Sequence, residues 1–202
     1  MNNAHIRQLL RQQRNQLSDT AQLKNQQRVL KHLKDSGLLD SNYHFAIYLH
    51  SDGELHTDTI IKQLFQLNKA VYLPVLHPDK SNHLLFIRYT ASSTLTKNRF
   101  GIKEPSTIDE PVAITDLDII FMPLVAFNHK GHRLGMGGGY YDRSLASLSN
   151  KQITKPLLIG LSHELQCNEN FITHALDIPM DGIITEKNVR FISKALKTTV
   201  AK

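Results

Sequence analysis

A single cysteine, Cys167, occurs among 202 residues, so no disulfide can form within the chain. That usage suits a reducing compartment, and a cytoplasmic location is expected. Long apolar runs are missing too: none approaches the roughly 20 residues that cross a bilayer as a helix. The opening Met1-Asn2-Asn3-Ala4-His5-Ile6-Arg7 lacks the apolar core of a secretory signal, so no membrane partner is expected. No internal repeat and no linker interrupts the chain, and residues 1–202 read as one domain. None of the eleven histidines falls into a zinc-finger spacing. His129 and His132, three apart, read as turn residues. Acids are the scarcer charge, 18 against 24 bases, which leaves a net charge of +6. A basic surface attracts anions. It either keeps the chain soluble or serves phosphates and other polyanionic small molecules. Nucleic acid is not expected as a partner, because the bases are scattered and no helix-turn-helix or RNA-binding signature appears.

With 41% hydrophobic and 21% charged residues, the chain can bury a core rather than stay disordered. Residues 1–40 predict two helices. Ile6, Leu9, Leu10 and Leu17 form an apolar stripe on the first. Arg7, Arg11 and Arg14 share another side, as a solvated face or an anion clamp. Ser18 or Asp19 can cap the second helix, which carries Leu23, Leu30 and Leu33, and Gly37 is placed to end it. Strands are predicted over residues 43–49, 70–75, 84–89, 118–122, 156–161 and 182–185. Between the first two lie a turn, His50-Ser51-Asp52-Gly53-Glu54, and a helix started by Thr57 or Asp58 that carries Ile60, Ile61, Leu64 and Phe65. Another helix follows Gly139, through Leu145 and Leu148. Residues 91–111 read as a long polar loop over the site, and residues 197–202 as a loose tail. Alternation of strands and helices implies an α/β fold, a three-layer α/β/α sandwich on a mostly parallel central sheet. Ligands of such sheets sit beyond the carboxyl ends of the strands.

The chemistry concentrates in residues 121–143. A buried strand and a turn lead to Arg133-Leu134-Gly135-Met136-Gly137-Gly138-Gly139-Tyr140-Tyr141-Asp142, and then a helix. Glycines admit positive φ and let backbone N–H groups approach an anion closely. A helix start adds further N–H groups. The combination reads as a phosphate cradle or as a glycine-rich turn that only reverses the chain. No Gly-Lys-Ser/Thr follows, so it is not a Walker A loop. The third glycine of a dinucleotide fingerprint would fall on Tyr140, so it is not that either. On residue type alone, Asp142 is equally a carboxylate at a helix start, Asp177 a turn residue near a proline, and Glu54 a solvated turn acid.

This block resembles the signature of the 5-formyltetrahydrofolate cyclo-ligase family. Phe121-Met122-Pro123, Ala126-Phe127 and Gly101-Ile102-x-Glu104-Pro105 match as well. So do the Ile6-Arg7-x-x-Leu10 helix, the Ser51-Asp52-Gly53-Glu54 turn and Asp177-Ile178-Pro179-Met180-Asp181. The resemblance covers nearly the whole chain in order. It implies an enzyme that uses ATP and Mg²⁺ to cyclise 5-formyltetrahydrofolate, possibly polyglutamylated, to 5,10-methenyltetrahydrofolate through a phosphorylated N5-formyl intermediate. It also implies ATP contacts from Asn3, Arg7, Arg133, Leu134, Gly135, Met136, Gly137, Gly138, Gly139, Tyr140 and Tyr141. Leu49, Glu54, Met136, Gly137, Gly138, Gly139 and Tyr140 would touch the folate, and Asp142 and Asp177 would hold the magnesium. The chain is expected as a monomer or weak homodimer. It departs from the family pattern at Met136, where an arginine or aromatic is usual, at Asn3, often a lysine, and at Phe100, usually tryptophan. Members can carry lysine at the position matching Gly138, which implies a tolerant position. The alternatives are a related α/β enzyme acting on another phosphorylated or formylated small molecule and a catalytically silent folate or nucleotide binder; the intact glycine block with both aspartates argues against the silent binder.

Overall fold

The computed structural model describes residues 2–40, 42–107, 110–149 and 156–193. The expected tail at residues 197–202 lies outside them. Two helices open the chain, α1 (Asn3–Asn15) and α2 (Asp19–Asp35). Asn2 caps α1 by accepting from the His5 N–H, and Ser18 caps α2 by accepting from Ala21. There follow β1 (His44–Ala46), α3 (Asp58–Gln66), β2 (Ala70–Leu76), β3 (Leu84–Tyr89), β4 (Leu95–Lys97), β5 (Lys103–Pro105), β6 (Ile119–Met122), β7 (Ala126–Phe127) and β8 (Arg133–Leu134). The last elements are α4 (Tyr140–Ser144), β9 (Leu157–Leu161), β10 (Gly182–Ile184) and β11 (Val189–Phe191).

Seven strands form the main sheet in the order β11-β10-β9-β6-β1-β2-β3. The pairs from β10 to β2 are parallel; β11 and β3 join antiparallel at the two edges. The α/β fold with a mostly parallel sheet is therefore as the sequence implies. Side chains alternate across the sheet with the period of two that a strand dictates. Phe45, Ile47, Ile119, Phe121, Ile159 and Leu161 face one core, closed by Val29 and Leu33 of α2 and Ile60 and Leu64 of α3. Ala46, Ile120, Met122, Leu158 and Ile183 face the other, closed by Leu145, Leu124, Phe127 and Met180.

Several expectations need correction. The α1 stripe holds for Ile6 and Leu10, but Leu9 is exposed. In their place Arg14 is buried, with 1% of its surface exposed. On α2, Leu23 is half exposed, while Gln22 and Gln26 are buried. The span at residues 91–111 is not a plain loop, because β4 and β5 pair into a hairpin. The helix after Gly139 is only five residues long, followed by a 3-10 turn over Ala146–Ser149. The β7–β8 hairpin and β11 were not among the predicted strands, and two-residue strands such as β7 and β8 are too short to show a period.

The order in which strands are added to the sheet reverses between β1 and β6. From β1 it runs outward through β2 to β3, and from β6 outward through β9 to β11. A crevice opens at such a switch point, beyond the carboxyl ends of the strands. Dense packing around β9 supports it: a methyl on Gly160 would stand 2.5 Å from the Met180 sulfur and 2.9 Å from Leu124 Cδ2. Gly160→Ala should therefore cost about 1–3 kcal/mol through overpacking. Urea unfolding checks this, and an unchanged midpoint would refute it.

Candidate active site

The crevice is a cavity of about 630 Å³, within the range of small-molecule sites. Its walls come from segments distant in sequence. Leu49, Ser51, Asp52 and Glu54 follow β1; Pro123 and Leu124 follow β6; Leu73, Pro74 and Leu76 belong to β2. The glycine-rich loop and α4 add Arg133, Gly135, Met136, Gly138, Gly139, Tyr140, Tyr141 and Asp142. The β4–β5 hairpin adds Asn98, Phe100, Ile102, Lys103 and Glu104. Tyr48, Asn98 and Lys103 have no individual sequence signal; the Gly101-Ile102-x-Glu104-Pro105 match is what could have pointed to the last two.

Arg14 sets the turn that carries Glu54. Its guanidinium donates to the Asp52 carbonyl at 2.7 Å, the Asp52 carboxylate at 2.8 Å and the Leu124 carbonyl at 3.1 Å. Arg11 and Asn15 donate to the same carboxylate. Partial burial alone would raise the Asp52 carboxyl, but the bonds from Arg11, Asn15 and Arg14 overcome it and hold it at about 2. Of the two readings of the arginine face, neither describes Arg14, which is a buried clamp. Asp52 and Gly53 take positive φ, 49° and 70°, closing the turn. Glu54 then folds back, and its Oε2 accepts from the Ser51 N–H at 3.0 Å. Its Oε1 lies 3.8 Å from Arg14. Burial raises the Glu54 carboxyl above the usual range, with Arg14 partly opposing. A shielded acceptor in the cavity wall suits hydrogen-bond donors of a ligand.

The glycine loop is held from two sides. Arg7 on α1 donates to the Gly135 carbonyl at 2.7 Å. It can do so because Ile6 and Leu10 pack α1 on Val125, Ala126 and Leu134 of the β7–β8 region. From the far end, Arg143 donates to the Gly138 carbonyl. Gly137 and Gly139 take φ of 99° and 65°, values that strain any residue with a Cβ. Gly138 has an ordinary φ, but a Cβ there would meet the Tyr140 ring at 2.7 Å, so a side chain requires that ring to turn aside. The ring is itself engaged: Arg99 donates to its hydroxyl at 2.7 Å, and Phe100 meets it edge-on at 5.9 Å. Met136 is exposed at the mouth, free to pack on a flat ligand ring.

Arg133 is buried and donates to Asp142 Oδ1 at 2.9 Å and to the Ile178 carbonyl at 3.2 Å. The Ile178 N–H donates to that same Asp142 oxygen at 3.2 Å. The segment carrying Asp177 is thereby tied to α4. Asp177 does not line the cavity, and its Oδ2 accepts from the His174 N–H at 2.7 Å. Asn3 does not line it either; its amide exchanges a pair of 2.8 Å hydrogen bonds with the Ile172 backbone. Arg7, Leu134 and Gly137 are not among the lining residues.

Behind the Glu54 turn, His163 is fully buried. Asn25 lies 3.1 Å from its Nδ1, while Nε2 is shielded near Gly53 without a well-aligned partner. Desolvation lowers its imidazole to about 4 despite the Gly53 carbonyl. A depressed folded value means the native state excludes a proton that the unfolded chain takes up below its ordinary 6.5. The stability is complete above that value and is lost as pH falls toward about 4, by roughly 3 kcal/mol in all. His163→Gln should abolish this component. Urea unfolding at several pH values checks it, and parallel curves for the two proteins between pH of about 7 and 5 would refute it.

Comparison with known proteins agrees with this geometry. The 5-formyltetrahydrofolate cyclo-ligase family matches residues 1–186. The chain is 44% identical over 140 residues to the 5-formyltetrahydrofolate cyclo-ligase of Haemophilus influenzae, covering 69% of this chain and 73% of that one. It is 42% identical over 145 residues to that of Escherichia coli K12, covering 71% and 78%. Among solved structures, the Aquifex aeolicus 5,10-methenyltetrahydrofolate synthetase superposes with a TM-score of 0.79 at 30% identity, covering 95% of this chain and 93% of that one. With its glycine loop, buried glutamate turn and parallel sheet in place, the chain belongs to the 5-formyltetrahydrofolate cyclo-ligase family.

Proposed function

We propose that the cavity performs the ATP-dependent cyclisation of 5-formyltetrahydrofolate to 5,10-methenyltetrahydrofolate, through a phosphorylated N5-formyl intermediate. The formyl oxygen attacks the γ-phosphorus of ATP, a P–O bond forms, and ADP departs with the electrons of the broken bond. N10 of the folate then attacks the activated formyl carbon. The C–O bond breaks, phosphate leaves with its electron pair, and the N10 proton passes to solvent. An amide oxygen is a poor leaving group and its phosphate ester a good one, so the protein's task is to position two substrates and neutralise phosphate charge.

The observation that carries this reading is the joining of two unlike walls in one cavity. One wall is the glycine loop, bent by positive φ at Gly137 and Gly139 and held by Arg7. It suits a polyphosphate. Because α4 has only five residues, the cradle rests on loop N–H groups more than on a helix dipole. The other wall, with Glu54, Leu49 and the exposed Phe100 and Met136, suits a flat heterocycle bearing N–H donors. Lys103 at the lining adds positive charge that suits the folate's glutamyl carboxylates, including a polyglutamate tail.

Asp142 also fits a magnesium ion. Asp142 lies in the cavity wall and its Oδ1 is held by Arg133 and Ile178, which fixes the carboxylate's direction. Asp177 is tethered one residue from that bond. Hard carboxylate oxygens at a phosphate site are the usual protein share of a magnesium shell, which otherwise keeps waters. Bound there, the ion would supply charge neutralisation to the β- and γ-phosphates. Arg133 is a positioning residue for Asp142 in this arrangement, rather than a free phosphate contact.

A cytoplasmic monomer or weak homodimer suits this activity. The lone cysteine supports the location, and no helix among the described residues is long and apolar enough to cross a membrane.

Folded protein mixed with magnesium ATP and 5-formyltetrahydrofolate should produce the near-ultraviolet absorbance of the methenyl product, with one ADP per turnover; no product sinks the reading. Gly137→Ala should raise the KM for ATP about tenfold or more, since a Cβ at φ of 99° displaces the loop. Equal weakening of both substrates would assign the loop a merely structural role. Glu54→Gln should weaken folate binding about tenfold with ATP affinity unchanged, because an amide accepts less strongly than a carboxylate. Calorimetry with each ligand decides, and a selective loss of ATP would overturn the assignment.

A further inference from the structure

Outside the cavity lining, two histidines and an aspartate converge where the Ser51-Asp52-Gly53-Glu54 turn joins α3. His50 precedes the turn, His56 follows it, and Asp58 opens the helix. Their ligating atoms all lie within 4.8 Å of one another. The two imidazoles stack with centroids 3.9 Å apart and planes 23° from parallel, and His50 Nδ1 stands 3.5 Å from Asp58 Oδ2. This differs from an ordinary surface ion pair in one respect. His50 Nδ1 is shielded from solvent and makes no hydrogen bond. A shielded imidazole nitrogen without a partner is costly to maintain. A metal ion would relieve it, because the tautomer protonated on Nε2 offers that ion a lone pair at Nδ1.

We propose that His50, His56 and Asp58 form a binding site for a divalent transition metal of the zinc type, with two imidazole nitrogens, one carboxylate oxygen and an open fourth position. Imidazole donors select zinc and its neighbours over magnesium, which takes oxygen. Burial, and then His56, lower the His50 imidazole, with Asp58 opposing and Lys103 adding to the fall. The ring is therefore neutral at physiological pH, which is the form that binds a metal. Bonds of about 2.0–2.1 Å place tetrahedral ligand atoms roughly 3.4 Å apart. The groups must draw together by an ångström or so, and the His56 ring must turn out of its stack on His50 so that both in-plane lone pairs meet one ion; rotation of the His56 side chain and a swing of the exposed Asp58 supply these movements. Lys103 weakens the site by repulsion, whereas Asp58 offsets part of the ion's charge. The consequence is local: the ion would join the two ends of the turn that carries Glu54.

The site is independent of the folate chemistry, so it is measured without folate or ATP. Metal-stripped protein is titrated with zinc chloride by calorimetry, and with cobalt(II) by visible absorption. Wild type should give ligand-field bands of four-coordinate cobalt with no thiolate charge-transfer band. His50→Gln and His56→Gln should each weaken zinc about tenfold or more. Asp58→Asn should weaken it less, and Cys167→Ser should leave it unchanged. Circular dichroism confirms that each variant is folded, and the exposed Asp58 supplies a variant that spares the core. Absence of zinc binding by wild type overturns the proposal, as does affinity unaltered by both histidine variants. A thiolate band lost in Cys167→Ser overturns it too, because the ion would then lie at His129, Cys167 and Glu169.

Discussion

A guanidinium with 1% of its surface exposed costs several kcal/mol to desolvate unless its donors are met. Arg14 meets that demand with the carbonyl and carboxylate of Asp52 and the carbonyl of Leu124. Three parts of the chain become one unit through these bonds: α1, the turn after β1, and the segment after β6. The cavity lies between the last two, and α1 also brings Arg7 to the glycine loop. Losing the cation would leave the Asp52 carbonyl without its side-chain donor and take one donor each from the Asp52 carboxylate and the Leu124 carbonyl. Both walls of the cavity would lose their reference together. Gln166 reinforces the same junction, donating to the carbonyls of Leu124 and Val125.

The two halves of the site are held by different means, and the difference matches their tasks. The Glu54 turn is rigid and shielded, backed by buried His163 and by Gln22, which donates to the Gly53 carbonyl. A heterocycle is recognised by fixed acceptors, and fixing them requires such backing. The glycine loop is held at its ends, by Arg7 at Gly135 and by Arg143 at Gly138, with Met136 between them exposed at the cavity mouth. Tyr140 joins this loop to the β4–β5 hairpin through Arg99 and Phe100.

Much of this was legible beforehand. The strand–helix alternation placed the sheet, because a half-buried strand and an amphipathic helix each leave a period in the sequence. The glycine block fixed where an anion could approach, since positive φ at Gly137 and Gly139 is a property of the residue type. The resemblance named Glu54, Asp142 and the tyrosines beside it. What stayed hidden has a common cause. Arg14, Gln22 and Gln26 look like a solvated helix face, and only the folded chain supplies the carbonyls and carboxylate that bury Arg14. Leu23 looks like core, and only packing turns it outward.

The amino-acid sequence by itself determined the fold class, the position of the glycine-rich loop and the family, because these rest on periodicity, glycine conformations and an ordered run of motifs. The tertiary structure alone decided which polar groups face the cavity and which support it. Asp142 is aimed by Arg133 nine residues away and by Ile178 thirty-six away. The Glu54 turn is aimed by Arg14, and the β4–β5 hairpin brings Phe100 and Lys103 to the same wall. Such pairings cross long stretches of chain, and a hydrogen bond depends on distance and direction in space rather than on any local pattern.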